Sequence, residues 1–405
     1  RSTLFPYTTL FRSEESINTI LEMAEYKKSG ICQVLIVTGC MAQRYKEEIV
    51  QEIPEVDAVL GTTSYDDIVQ ALNEASAGKH FEEFKDINFL PEDSGRRVIT
   101  TGGHFGYLKI AEGCDKHCTY CIIPSLRGNF RSVPEERLLA QAEYMASQGV
   151  KELILVAQET TVYGTDLYGK KTLHLLLRKL CQIKGIRWIR ILYCYPEEIY
   201  DELIQVMKEE KKICHYLDLP IQHCSDRILK RMGRRTSKAQ LVEIITKLRK
   251  EIPDIVLRTS LITGFPGETE EDHQELMEFV DEMEFDRLGV FTYSPEEDTP
   301  AATMKDQIPE ELKEERRDEI MELQQEISLD KGNQRIGQEM LVMIEGKVSG
   351  ESAYIGRTYM DAPKVDGYMF VQTGELMVTG DFAKVRVTGA LEYDLIGELT
   401  DEYTE

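Results

Sequence analysis

A regular alternation of strand and helix signals constrains the middle of this chain more than any other feature. Short aliphatic runs alternate with longer segments whose apolar residues recur at helical spacing. The predicted strands are Tyr107–Ala111, Leu153–Ala157, Trp188–Leu192, Tyr216–Leu219, Ile255–Ile262 and Arg287–Phe291. Strands that are separated by helices usually pair in parallel. The pattern therefore predicts an α/β fold with a parallel sheet, either curled or closed.

Three cysteines follow the first of these strands at CxxxCxxC spacing: Cys114, Cys118 and Cys121. Three thiols can hold an iron–sulfur cluster and leave one iron free to bind a small molecule, whereas ordinary clusters use four cysteines. Two alternatives stay open, a zinc knuckle and a set of buried structural thiols, although zinc normally takes a fourth Cys or His. Tyr120 places an aromatic ring beside the third thiol. Loops at the carboxyl ends of barrel strands are where barrel enzymes carry their active sites.

The segments on either side of the alternating region have different textures. Residues 1–13 contain no acidic residue, and residues 333–405 have short β runs punctuated by glycines. We predict a leader foreign to the fold (1–13), a small α/β domain (14–88), the barrel domain (89–308), a connecting helix (309–332) and a small antiparallel β-barrel (333–405). Within the α/β domain we predict a helix from Ser16, a strand at Val34–Val37, helices at Arg44–Ile53 and Asp66–Ala75, and then a linker at Gly78–Thr101.

Composition and charge exclude several classes of protein. With 405 residues, 42% of them hydrophobic and 30% charged, the chain is long enough for two or three folded domains. No apolar run approaches the ~20 residues of a membrane span, so we expect a cytoplasmic protein with no membrane partner. Its nine cysteines are then thiols or metal ligands rather than disulfides.

The acidic balance argues against direct binding of nucleic acid. The formal net charge is −24, and residues 333–405 contain 6 Lys and Arg against 13 Asp and Glu, which gives 6 − 13 = −7. Phosphate binding requires clustered positive charge. A basic protein partner fits such a surface better.

Several long motifs resemble a known family. The cysteine motif with Tyr120 resembles the signature of the radical S-adenosylmethionine superfamily. The segments that resemble its methylthiotransferase branch are Tyr107–Gly128, Leu155–Gly164, Leu217–Arg234, Leu257–Asp272 and Gly289–Ala302. The terminal β-barrel resembles their OB-like TRAM domain, and its segments Ile355–Gly367 and Glu392–Glu398 resemble the RimO type. This resemblance implies a partial (β/α)6 barrel and methylthiolation of the β-carbon of an aspartate in protein S twelve of the small ribosomal subunit.

The resemblance also implies roles for individual residues. The three cysteines would hold a 4Fe-4S cluster whose open iron binds S-adenosyl-L-methionine. The implied contacts with that cofactor or with the substrate come from Tyr120 (adenine), Gly264 and Pro266 (adenine or ribose), Arg258 (methionine carboxylate), and Gln158 and Gln222 at strand ends. The residues alone leave structural alternatives open for each. Gly264 and Pro266 could form a strand-to-helix turn, Arg258 could form a buried ion pair, and the glutamines could hydrogen-bond to loops.

The amino-terminal domain departs from the family pattern. Methylthiotransferases of this kind hold a second cluster with three cysteines of that domain, and only Cys40 matches one of them. We therefore expect a truncated amino-terminal domain, one cluster instead of two, and impaired turnover. The family implies an electron donor such as flavodoxin or ferredoxin. The alternative functions are a transfer RNA adenosine methylthiotransferase of the MiaB type and a non-catalytic, metal-containing module that binds a basic ribosomal protein.

Overall fold

The computed structural model of the protein describes residues 9–91 and 97–404. The first eight residues of the predicted leader and residues 92–96 of the predicted linker lie outside this range. Three units follow one another along the chain: a small α/β unit, a curled parallel sheet with outer helices, and a closed five-stranded barrel. The predicted fold class is confirmed.

The amino-terminal unit is a three-stranded parallel sheet with helices. Its elements are α1 (Thr9–Lys28), β1 (Ile36–Thr38), α2 (Cys40–Glu52), β2 (Ala58–Leu60), α3 (Ile68–Ser76) and β3 (Phe81–Glu83). Strands β2 and β3 were not predicted, because each has only three residues and neither lies in a longer aliphatic run such as Val34–Val37, which indicated β1. Helix α2 begins at Cys40, four residues before its predicted start, so the thiol lies in the first turn of the helix.

The central unit has the predicted alternation, with additional short helices. Its elements are β4 (Phe105–Lys109), β5 (Ala111–Glu112), α4 (Ile123–Arg127), β6 (Arg131–Ser132), α5 (Glu135–Ser147), β7 (Glu152–Val156), α6 (Thr165–Tyr168), α7 (Leu173–Cys181), β8 (Trp188–Ile191), α8 (Asp201–Glu209), β9 (Ile213–Asp218), α9 (Asp226–Arg231), α10 (Lys238–Glu251), β10 (Val256–Thr263), α11 (Glu270–Met283) and β11 (Arg287–Thr292). Six strands pair in parallel in the order β4, β7, β8, β9, β10, β11. The sheet is not closed between β4 and β11, which makes it a partial barrel.

The terminal unit begins with a long helix and ends in a closed barrel. Its elements are α12 (Glu310–Asn333), β12 (Glu339–Lys347), β13 (Ala353–Arg357), β14 (Met369–Gln372), β15 (Phe382–Ala390) and β16 (Leu395–Thr404). The barrel order is β12, β13, β14, β16, β15. The expectation of a wholly antiparallel barrel is wrong in one detail, since β14 and β16 pair in parallel. The barrel closes only through β16. The sequence did not predict this strand, because its second half contains charged residues.

Residues of the parallel sheet alternate between two cores. In β7, Leu153 and Leu155 pack against the outer helices, whereas Ile154 joins a cluster with residues of the terminal barrel. Trp188 and Tyr216 on neighbouring strands belong to that second cluster too. Side chains alternate across a strand, so the helices cover one face of the sheet and the closed barrel covers part of the other.

Buried charges cross the interface between the two barrels. Glu152 of β7 pairs with Arg357 of β13 at 2.6 Å and with Arg190 of β8 at 2.8 Å, and all three side chains are inaccessible to solvent. Burial alone would raise the pKa of Glu152, but the two guanidinium groups hold that pKa below its ordinary value. The closed barrel thus supplies a counter-charge to the interior of the parallel sheet.

None of the helices within residues 9–91 and 97–404 combines the length and the apolar composition needed to cross a bilayer.

Candidate active site

A cavity of about 670 Å³ lies at the carboxyl ends of the parallel strands. This volume is within the roughly 300–1,000 Å³ that is typical of ligand pockets. Its walls come from the cysteine loop after β5, from the segments that follow β7, β8, β9 and β11, and from the start of α2. The amino-terminal unit therefore forms one wall of a site whose other walls belong to the central unit.

The cysteine loop places its three thiols on one side of this cavity. Cys114 and Cys118 are buried and Cys121 is half-buried. Backbone hydrogen bonds hold the loop, since Cys114 N donates to Gly128 O and Cys121 N donates to Cys118 O. Burial raises the pKa of Cys114 to about 11 and that of Cys121 to about 12. Desolvated thiols of this kind become thiolate ligands only where a metal supplies compensating positive charge.

The spacing of the thiols bears on the kind of metal group that they could hold. No three His, Cys, Asp or Glu side chains in the described ranges lie close enough together to hold a single metal ion. In a four-iron cluster each thiolate binds a different iron, so a cluster needs a wider spacing than zinc does. Three thiols on one loop, beside a cavity large enough for a further ligand, fit a cluster with one iron open to that ligand.

Three of the predicted cofactor-binding residues line the cavity: Tyr120, Gln158 and Gln222. The ring of Tyr120 packs edge-on against Phe265, with 6.3 Å between centroids. Gln158 donates from Nε2 to Glu112 Oε1 at 3.2 Å, and its buried Oε1 has no hydrogen-bond partner among the described residues. Gln222 continues the sheet, because its N donates to Ser260 O and its O accepts from Ile262 N. The positions of Gln158 and Gln222 after strands, and that of Tyr120 in the cysteine motif, therefore located these residues.

The structure does not place the other three, Arg258, Gly264 and Pro266, in the lining of the cavity. The Arg258 guanidinium forms buried ion pairs with Asp218 at 2.7 Å and with Asp366 of the terminal barrel at 3.3 Å. This is the structural alternative that the sequence had left open.

Gly264 and Pro266 belong to the turn between β10 and α11. Gly264 has a φ of +68°, and a Cβ there would come within 2.1 Å of Lys313 Cγ on α12. Its N–H donates to Glu268 Oε2 at 2.9 Å, and the Pro266 carbonyl accepts from Arg231 Nε at 3.0 Å. The glycine is required here by the packing of α12, in keeping with a strand-to-helix turn.

Cys40 shares the cavity with the three loop cysteines. Its half-buried Sγ accepts a hydrogen bond from Arg127 Nε at 3.1 Å. Arg127 ends α4, the short helix that follows Cys121, and its Nη1 also contacts Glu112 Oε1 at 3.3 Å. Arg127 thus links Cys40 of the amino-terminal unit to the helix that follows the cysteine loop.

A second contact between units lies near Cys40. Arg44, one helical turn beyond Cys40 on α2, lines the cavity and forms an ion pair with Glu296, which follows β11. Both side chains are largely buried, at 10% and 6% exposure. Arg44 Nη2 also donates to the Glu297 carbonyl at 3.0 Å. These bonds hold α2 against the mouth of the central unit.

Sequence reasoning missed Tyr195 and Arg234. Tyr195 lines the cavity, and its hydroxyl lies 3.8 Å from Cys118 Sγ. Its position shortly after β8 could have identified it, because Gln158 and Gln222 were selected for the same kind of position. The Arg234 guanidinium stacks on the Tyr195 ring, 4.2 Å from its centroid. Arg234 is the last residue of the segment Leu217–Arg234 that resembles the family, but nothing local indicates its contact with Tyr195, which only the folding of the chain creates.

Family profiles match all three units of the chain. The radical SAM superfamily matches residues 108–280, the TRAM domain matches 336–400, and the uncharacterized protein family UPF0004 matches 11–61. A protein of Lachnoclostridium phytofermentans named ribosomal protein uS12 methylthiotransferase RimO is 66% identical over 384 residues, which is 95% of this chain and 87% of that protein. The chain belongs to the RimO methylthiotransferase family.

Further comparisons agree with this membership. The RimO protein of Clostridium botulinum is 50% identical over 97% of this chain and 88% of its own length. Among solved structures, the radical S-adenosylmethionine methyltransferase TsrM from Kitasatospora setae aligns with a TM-score of 0.52 over 79% of this chain and 62% of that one, at 12% identity. The TsrM likeness supports the fold alone. Membership of the RimO family makes this chain a radical SAM methylthiotransferase, and the superfamily implies a 4Fe-4S cluster and S-adenosylmethionine.

Proposed function

We propose that this protein attaches a methylthio group to the β-carbon of an aspartate in ribosomal protein uS12. The observation that carries the proposal is the meeting of the three loop cysteines and Cys40 in one cavity, within a chain of the RimO family. The substrate follows from the name of the relatives, and the target atom follows from the resemblance of the terminal barrel to the RimO type. The acidic terminal barrel, with its net charge of 6 − 13 = −7, suits a basic ribosomal protein better than RNA.

The residues of this chain would prepare the cavity for that chemistry. Cys114, Cys118 and Cys121 would hold the cluster, which with bound S-adenosylmethionine supplies a 5′-deoxyadenosyl radical. The edge-on contact with Phe265 supports the Tyr120 ring in the wall of the cavity, where it would lie against a flat ligand such as adenine. The buried Gln158 Oε1 is available as an acceptor for a ligand N–H or O–H. Burial of the loop and the covering of the cavity by α2 would exclude water from a reactive radical.

We further propose that Cys40 belongs to the sulfur-donating cluster of the family and that, as a single thiol, it would hold that cluster only weakly, so that methylthiolation by this chain would be slow. Arg127, which donates to Cys40 Sγ, would then place positive charge beside that cluster. Electrons would come from a one-electron donor such as flavodoxin or ferredoxin.

Iron analysis tests the number of clusters. After anaerobic reconstitution, we expect the chain of 405 residues to hold ~4 iron and ~4 sulfide, the content of a single cubane. Cys40→Ala should leave that content unchanged, whereas Cys114→Ala should abolish it. About eight irons per chain would contradict the single-cluster prediction.

Mass spectrometry of uS12 tests the substrate. Ribosomes from cells with this gene should carry uS12 with a methylthio-aspartate, and cells that lack the gene should carry unmodified uS12. Complementation with a Cys118→Ala variant should leave uS12 unmodified. A mark that persists without the gene would refute the assignment, and a loss of methylthio-adenosine from transfer RNA instead would favour the MiaB-type alternative.

A further inference from the structure

The cysteine loop is clamped to the turn that follows α9. Thr119 N donates to the Met232 carbonyl at 2.9 Å, and Thr119 Oγ1 donates to the Arg231 carbonyl at 2.9 Å. Gly233 has a φ of +73°, and a Cβ there would meet the His117 carbonyl at 3.3 Å. This close approach of two backbones brings Arg234 behind the loop.

Arg234 is a buried cation whose charge is incompletely compensated. Its side chain is 1% exposed, and its nearest carboxylate is Glu197, 3.6 Å from Nη2. Nη2 donates to the Pro220 carbonyl at 3.1 Å, while Nε and Nη1 have no hydrogen-bond partner among the described residues. Arginine stays protonated in proteins, so a positive charge is retained here.

Tyr195 connects this charge to the loop. Two cations lie close to its ring, the Arg234 guanidinium at 4.2 Å and the Lys116 ammonium at 5.0 Å from the ring centroid. Lys116 is already paired with Glu198 and lies 3.9 Å from Glu159, so Arg234 is the less compensated of the two. The Tyr195 hydroxyl is within hydrogen-bond distance of Cys118 Sγ, at 3.8 Å. Cations over a phenol ring draw electron density from it and strengthen the O–H as a donor.

We propose that Tyr195 and Arg234 are positioning residues that raise the reduction potential of the cluster held by Cys114, Cys118 and Cys121. The inference rests on the proposed cluster. Hydrogen bonds to the sulfurs and the charge around a cluster set its potential. The reduced cluster carries one more negative charge, so a donor to Cys118 Sγ and a nearby buried cation stabilise the reduced form more than the oxidised form.

The test is an EPR-monitored redox titration of the reconstituted full chain, with dithionite as reductant and without S-adenosylmethionine. We expect Tyr195→Phe and Arg234→Gln each to lower the reduced-to-oxidised ratio at a fixed potential by about tenfold, which is 59 mV for one electron. Arg234→Lys, which keeps the charge, should retain most of the potential. Two controls should titrate as the unmodified protein does: Tyr200→Phe, whose hydroxyl contacts His174, and Arg178→Gln, which is 42% exposed on α7.

An unchanged midpoint in Tyr195→Phe and Arg234→Gln would overturn the proposal, and Tyr195→Phe decides alone if Arg234→Gln does not fold. Equilibrium binding of S-adenosylmethionine to the oxidised protein tests whether Arg234 instead contacts the cofactor. Weakened binding with an unchanged midpoint would make Arg234 a cofactor contact, and the proposal would be wrong. If the unmodified chain holds no reducible cluster, the proposed cluster itself fails, which is a distinguishable result.

Discussion

Replacing Cys118 with alanine is expected to abolish reductive cleavage of S-adenosylmethionine. Cys118 is buried on the cavity wall next to Tyr195, and no neighbouring residue in the loop offers a substitute thiol. Two thiolates hold a cubane poorly. We expect the rate of 5′-deoxyadenosine formation under dithionite to fall by at least about a thousandfold, or roughly 4 kcal/mol in the activation free energy. Chromatography of the quenched reaction measures this product directly.

Cys181→Ala is the matched control for this variant. Cys181 is also buried, at 5% exposure, but it lies on the outer helix α7 and not in the lining of the cavity. The same chemical change there should leave both the iron content and the cleavage rate near those of the unmodified chain. Cleavage that persists in Cys118→Ala would show that the loop does not carry the radical cluster. The non-catalytic alternative predicts no cleavage even in the unmodified chain.

Replacing Arg357 with methionine should destabilise the protein by about 3–5 kcal/mol, the cost of breaking a buried ion pair. Arg357 reaches from the closed barrel to Glu152 of the parallel sheet at 2.6 Å, and it also contacts Glu345 at 2.6 Å and the Asp361 carbonyl at 2.9 Å. Without it, a fully buried Glu152 retains Arg190 as its remaining ion-pair partner among the described residues. Two carboxylates of the network, Glu152 and Glu345, would then face the single guanidinium of Arg190, and this excess of negative charge would disfavour the folded state.

Urea unfolding followed by tryptophan fluorescence measures this loss. The chain contains one tryptophan. Trp188 packs edge-on against Phe382 of the closed barrel, with 4.8 Å between ring centroids, so its fluorescence reports on this interface. Arg386→Met is the matched control, because its pair with Glu339 is about half exposed and such pairs contribute about 0–1 kcal/mol. Equal destabilisation by the two variants would show that the buried network does not hold the barrels together.

The sequence located the predicted site residues that follow strands better than those that lie within a strand. Gln158 and Gln222 lie within a few residues of strand ends, and parallel strands bring their carboxyl ends to one edge of the sheet. Strand assignment alone therefore placed these two glutamines in the cavity, whereas Tyr120 was located by the cysteine motif to which it belongs. Arg258 lies within strand β10, where the face to which a side chain points decides its partners. Its partner Asp366 comes from the terminal barrel, whose docking position has no local signature.

The sequence by itself determined the three-thiol loop, the alternation of parallel strands with helices and the resemblance to methylthiotransferases, because each of these depends on residues that are close together along the chain. Only the tertiary structure decided that Cys40 shares a cavity with Cys114, Cys118 and Cys121, that Arg258 serves the interface between the barrels, and that Tyr195 and Arg234 lie behind the loop. The physical reason is that these contacts join residues far apart in sequence. Their distances are set by how whole elements pack, and no short stretch of residues specifies that packing.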